Sequence, residues 1–344
     1  MKKRSNKASP LQLLFVVWSV VYSSTPLAQP PYPQSPVIAK VTFAPASTII
    51  RKALGSDNWP MTWCDDDTLF TAYGDGWGFE PRIATKLSQG FARIVGLPPD
   101  FKGINVRSPS GERSGDGRAG PKASGMLLVD GLLYMWVRNT SNSTIAWSSD
   151  RGATWQWGFR FTESFGCPAF LNFGKNYAGA RDEFVYTYSA DGPSAYEAYD
   201  GIVLARVAKS KITERDAYEF FKGMDNTGRP LWTTDLKSRK PVFVYAGHCE
   251  RIEVVYDRGI KRYLMALGFN HESGWGLFDA PEPWGPWTTA FYTERWDIPG
   301  THGYRLPTKW ISPDGKTLYL VFSGTSAGGY DAFCVRRMTL TPSP

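Results

Sequence analysis

Between Asp57 and Phe79 the chain places Asp57, Asp65, Asp66, Asp67 and Asp75 together with Trp59, Trp63 and Trp77 around one β-prone run, Thr68 to Tyr73. Asp57 stands before this run and Asp75 after it, within Gly74-Asp75-Gly76. Carboxylates on either side of a strand can face one cavity. Cleavage of a glycosidic bond needs that arrangement, one carboxyl staying protonated to donate to the leaving oxygen while the other acts as base or nucleophile. Asp57 and Asp75 are therefore the candidate catalytic pair. Which would be the acid depends on burial and neighbours. The competing reading is that each serves a turn beside glycine and tryptophan.

The remaining acids and rings sort differently. Asp65-Asp66-Asp67 cannot all point into a pocket, so they read as a hairpin turn, with coordination of a structural calcium as the alternative. Trp59 and Trp77 offer flat faces for stacking on sugar rings or, equally, for packing between sheets, while Trp63 reads as core. Glu163, and Glu250 with its neighbour Arg251, sit beside strand-like runs and are candidate substrate contacts. His302 joins them. His302-Gly303-Tyr304-Arg305 also holds the base, acid and charge-neutralising types that a polysaccharide lyase uses. The histidines His248, His271 and His302 have no zinc spacing, and neither His-Glu-x-x-His nor Gly-x-Ser-x-Gly occurs, so no metal ligand or serine nucleophile is assigned.

Such residues need strands to position them. With 34 Gly, 25 Pro and 15% aromatic residues, the composition favours short strands and turns over helices. Five hairpin-bearing units follow, at 62–76, 127–155, 183–208, 252–287 and 309–338, each with β-prone runs around a turn. Ser148-Ser149-Asp150-Arg151-Gly152-Ala153-Thr154-Trp155 matches the Asp-box pattern, whose Ser and Asp oxygens satisfy turn amides while its Trp plugs the gap between sheets. Ala280 to Thr288 closes another unit in a similar way. Five such units predict an all-β, five-bladed β-propeller, a β-sandwich or jelly roll being the alternative. The one helix-like stretch, 212–224, is expected in an insertion, and 339–344 as a tail.

The first 28 residues read as a secretory signal peptide: Lys2, Lys3, Arg4 and Lys7, then an apolar run from Leu11 to Tyr22, then a small-residue site ending at Ala28. The apolar run is short against the ~20 residues of a membrane span, so no stable membrane insertion is expected. Residues 29–44 are taken as a proline-rich lead-in and 45–340 as a single domain of a secreted or periplasmic protein. Setting aside the four basic residues of the leader lowers the formal charge from +7 to +3. The remaining basic residues form no stripe, which argues against a nucleic-acid partner. Cys64, Cys167, Cys249 and Cys334 match no metal spacing and are read as two disulfides or as buried thiols.

Asp57-Asn58-Trp59-Pro60-x-Thr62-Trp63, Asp66-Asp67, Gly74-Asp75-Gly76 and the later Gly285-Pro286-Trp287-Thr288 together resemble a family of secreted five-bladed propellers long classed as a domain of unknown function. That family includes endo-D-arabinanases and is similar in architecture to arabinan-cleaving propeller hydrolases. The resemblance implies a glycoside hydrolase, acting on an arabinan-like or other polysaccharide, whose paired aspartates match Asp57 and Asp75. A non-catalytic glycan- or surface-binding propeller is the rival. A sialidase is weaker, because no cluster of three arginines is recognisable in the sequence.

Overall fold

Alternating apolar and polar residues, broken by Asp-Gly and Ser-Asp turns, produce strands of three to ten residues, with short 3-10 turns and no α-helix among the described residues. The computed structural model describes residues 29–269, 273–324 and 331–344. The signal-peptide reading of 1–28 lies outside them.

The strands form five antiparallel blades. Blade 1 runs Met61–Trp63, Leu69–Tyr73, Gly90–Val95, Lys102–Val106, and blade 2 runs Lys122–Val129, Leu132–Arg138, Ser143–Ser148, Gln156–Phe161. Blade 3 starts with Ala169–Asn172, Phe184–Ala190 and Tyr199–Ala208, whose outer edge is shared by Glu219–Met224 and Pro241–Cys249. Blade 4 comprises Ile252–Asp257, Arg262–Gly268, Trp275–Ala280 and Thr288–Thr293. Blade 5 comprises His302–Arg305, Thr317–Ser323 and Phe333–Pro342, and its outermost strand is Ile38–Phe43, from the other end of the chain. That last pairing closes the ring and covers an edge otherwise left open. The innermost strands adjoin in turn around the axis, Ala169–Asn172 pairing in parallel with Ile252–Asp257.

Several expectations change here. The lead-in contributes Ile38–Phe43 to blade 5, so the domain begins before residue 45, and residues 339–342 are strand rather than tail, with Leu340 opposite Val41. The stretch 212–224 is no helix. Alternation of aromatic residues buries Tyr218 and Phe220, and Glu219–Met224 pairs with Pro230–Thr233 at the outer edge of blade 3. Leu69–Tyr73, buried along its whole length, is the second strand of blade 1, the inner one being Met61–Trp63. All four cysteines are buried free thiols, not disulfides.

Between blades the contacts are aromatic. Trp155 stacks on Phe91 at 5.3 Å and lies 6.3 Å from Phe70, joining blades 1 and 2. It is held there by the Asp box. Asp150 accepts from the Thr154 amide at 2.8 Å and the Thr154 hydroxyl at 2.6 Å, Ser148 Oγ accepts from the Gly152 amide at 2.9 Å, and Gly152 takes φ 85°. Trp136, fully buried, packs between Phe161 and Phe170 at 5.2 and 5.9 Å.

Candidate active site

Because the inner strands run parallel around the axis, the residue at the head of each reaches the same mouth of the funnel. Asp57 precedes Met61–Trp63, Lys122 opens blade 2, Cys167 precedes Ala169–Asn172, Arg251 precedes Ile252–Asp257, and His302 opens blade 5. The second strand of a blade returns to that mouth, so its last residue joins them: Asp75 follows Leu69–Tyr73, and Arg138 ends Leu132–Arg138 opposite Lys122. Asp57, Asp75, Lys122, Arg138, Arg251 and His302 line one cavity of about 590 Å³ including its mouth, to which Tyr196 from blade 3 adds its ring.

The backbone at Asp57 is unusual. Asn58 and Trp59 have φ 85° and 51°, and Asp75 has φ 44°, all in the left-handed region that non-glycine residues rarely enter. Neighbouring blades hold this turn. The Asn58 amide donates to Ser323 Oγ at 2.8 Å, its side-chain amide donates to the Ala123 carbonyl, and Arg305 Nε donates to its carbonyl at 3.2 Å. Arg305 is itself buried against Glu253 at 3.0 Å. Gly74 pairs with Asp57 across the hairpin, where a Cβ would overlap Asp57 Oδ1. The left-handed pair also turns Trp59 inward, where Tyr73, Phe79 and Phe333 enclose it completely.

Each carboxylate has a distinct electrostatic setting. Burial alone would raise the Asp57 carboxyl, yet the hydrogen bond and charge of His302, with Arg138 and Lys122, bring it down to about 2. Its Oδ2 lies 3.4 Å from His302 Nε2, and its Oδ1 has no hydrogen-bond partner among the described residues. Asp75 is ion-paired at 2.8 Å with Lys122, whose side chain is 1% exposed, and it accepts from the Gly117 amide at 3.0 Å. A third acid, absent from the sequence reading, completes the group: Asp331 Oδ1 lies 3.9 Å from His302 Nδ1. Burial, reinforced by the charges of Asp57 and Asp75 against that of His302, pushes the Asp331 carboxyl up to about 6.

The cations are unevenly matched. Lys122 has Asp75, but among the described residues no carboxylate lies within ion-pair distance of Arg138 or Arg251. Arg138 is buried, and its Nε and Nη1 find no hydrogen-bond partner among them. Arg118, Arg138 and Arg251 surround the ring of Tyr196 at 5.0, 5.0 and 5.2 Å. Three arginines thus meet that no sequence motif announced.

Other candidates fall away from this cavity. Trp59 is core, so it cannot stack on a sugar. Trp77 is half-buried under Arg82 and Lys86. Glu163 is exposed on a turn whose carbonyl accepts from Asn142, and Glu250 does not line the cavity although Arg251 beside it does. The lyase grouping is not assembled, because Tyr304 is buried with its hydroxyl 2.9 Å from that of Thr301, and Arg305 is committed to Glu253. Trp63 is only partly buried, and its indole donates to Asp67 at 2.9 Å.

Among the described residues, the one group of three whose potential metal-ligand atoms lie within 4.8 Å of one another is Asp57, His302 and Asp331. Lys122, Arg138 and Arg251 face the same space and oppose an added cation, which favours reading the trio as a proton-handling group. No such cluster forms at Asp65 to Asp67. There the carboxylates face Arg151, Arg93, Lys309 and Lys175 around the turn.

The fold is similar to that of a GH43_1 enzyme from Xanthomonas citri complexed with xylose, with 15% identity, 87% of this chain and 94% of that one covered, and a TM-score of 0.51. It is similar also to RS223-Beta-xylosidase, with 11% identity, coverage of 84% and 95%, and a TM-score of 0.51. At such identity the likeness establishes the architecture, an all-β, five-bladed propeller. No curated protein matches the sequence. One family model does, over residues 127–336, which takes in the Asp box and Gly285 to Thr288 but not the Asp57 to Phe79 stretch. The chain belongs to the family described as Domain of unknown function (DUF4185).

Proposed function

We propose that the chain is an exported glycoside hydrolase in which Asp57 is the ionised base or nucleophile and Asp331 the proton donor, with Asp75 holding Lys122 in place beside them. The observation that carries this reading is the separation of two neighbouring carboxyls, one held down to about 2 and the other raised to about 6, across a single histidine. Paired groups whose environments push their proton affinities apart are how a site supplies acid and base together. The free Oδ1 of Asp57 leaves an oxygen available to a reacting carbon or to a water. Oxygens of the two carboxyls lie within 4.8 Å of each other, close enough for both to act on one glycosidic bond. The fold is one that glycoside hydrolases use, which supports the reading without fixing the reaction. The basic and apolar leader supports export.

The full-length chain should release new reducing ends from at least one polysaccharide in a panel spanning arabinan, xylan and uronate-containing polymers, without unsaturated products. Asp57→Asn should cut that release by about a thousandfold or more in a chain that still folds, with an unchanged near-ultraviolet circular dichroism spectrum. Unsaturated products would indicate elimination instead. No release on any polymer, together with retained glycan binding, would favour the binding-module reading.

A further inference from the structure

We propose that the sugar bound in this cavity carries a carboxylate, and that Arg138 and Arg251 hold it. The inference rests on the glycoside-hydrolase reading only in taking the ligand to be a sugar. Its own basis is a pair of arginines at the funnel mouth with no ion-pair partner among the described residues, one of them buried with unsatisfied donors.

Charge in the cavity divides into paired and unpaired groups. Lys122 answers Asp75 at 2.8 Å, and His302 sits against Asp57 at 3.4 Å. Arg138 and Arg251 remain. Arg251 donates through Nε to the Ala195 carbonyl at 3.2 Å, and Arg138 leaves Nε and Nη1 without partners although it is buried. Donors of buried side chains are nearly always satisfied, so an orphaned guanidinium edge in a cavity wall points to a missing acceptor. The shared Tyr196 ring offers both guanidiniums a weak cation–π contact, which does not substitute for an anion. Three like charges surround one ring, and among the described residues no carboxylate stands at ion-pair distance from Arg138 or Arg251, so an anion held between these two is stabilised.

The form of the anion follows from the donors. A guanidinium edge presents parallel N–H groups that match the two oxygens of a carboxylate. Asp57 and Asp75 already line the cavity and Asp331 stands against His302 beside it, so a single added negative charge meets the two arginines with less repulsion from these carboxylates than the dianion of a phosphate monoester would. A neutral sugar would leave the Arg138 edge desolvated and unpaired, which works against its binding.

The test is calorimetric titration of the wild-type full-length chain with the methyl glycosides of glucuronic, galacturonic and N-acetylneuraminic acids, each beside its own methyl ester, and with the methyl glycoside of galactose 6-sulfate. At least one acid should bind about tenfold or more tightly than its ester. Arg138→Met should bring the two within about twofold, and Arg138→Lys should restore only part of the preference, because it returns the charge without the fork. Equal binding of acid and ester throughout, or a preference that survives in Arg138→Met, overturns the proposal, as does tighter binding of the sulfated sugar than of every carboxylate. Should neither variant fold, the acid-to-ester contrast in the wild type decides alone. Acid-selective binding with no cleavage of any polymer would defeat the hydrolase reading and leave this one intact; cleavage of a neutral polymer with no acid preference would do the reverse.

Discussion

The first hairpin of the propeller carries aspartates at both of its ends, and the two ends have opposite fates. At the turn, Asp65, Asp66 and Asp67 lie in the open against Arg151, Arg93 and Lys309, and Asp66 also caps its own turn by accepting from Thr68 at 2.7 and 3.0 Å. At the funnel mouth, Asp57 and Asp75 are largely buried among Lys122, Arg138 and His302, with Asp75 and the two residues after Asp57 held in the left-handed region. The side chains are the same. Solvent screens charge at the turn, so each ion pair there contributes about 1 kcal/mol or less. At the mouth, low dielectric makes every pairing consequential and moves proton affinities far enough to separate an acid from a base.

The contrast can be broken first at its most reactive point. Asp331→Asn should lower turnover by about a hundredfold or more and remove the alkaline limb of the pH profile. The sign is set by the roles. Asp331 works protonated, so activity is present below about 6 and lost as pH rises through that value, whereas Asp57 works ionised and sustains activity down towards about 2. An unchanged profile in the variant would remove Asp331 from the chemistry.

A smaller effect is expected from Asp75→Asn, which strands a buried Lys122 with only the Gly117 carbonyl at 2.8 Å. Loss of the charge partner should cost about 3 kcal/mol in denaturant unfolding. Stability equal to wild type would mean that pairing does not organise this end of the hairpin. Asp66→Ala, at the other end, should cost about 1 kcal/mol or less and leave activity alone. A loss as large as that of Asp75→Asn would erase the distinction between the two ends.

Much of this architecture was legible beforehand. Hairpin turns and a full Asp box pointed to blades, and Asp57 and Asp75 were recognisable because they flank one strand. What sequence could not show was which end of each strand faces the funnel. Lys122 and Arg138 sit at strand ends, where a basic residue normally reads as solvated, and only the antiparallel pairing of their strands brings them beside Asp75 and Asp57. Asp331 lies far along the chain, and its place depends on blade 5 closing against blade 1. Trp59 was left open between stacking and packing for a local reason, since successive positive φ values at Asn58 and Trp59 break the alternation that would otherwise say which way a side chain points. Ile38–Phe43 was set outside the domain because a closing strand has its partner at the opposite terminus.

Direct titration of the carboxyls at the mouth needs no substrate and tests the central claim. Carbon-detected NMR of the aspartate side chains, assigned with Asp57→Asn and Asp331→Asn, should find one carboxyl titrating near 2 and its neighbour near 6, with the second falling towards the ordinary aspartate value when Asp57 is neutralised. Two carboxyls titrating together near the ordinary value, indifferent to each other's substitution, would contradict the account.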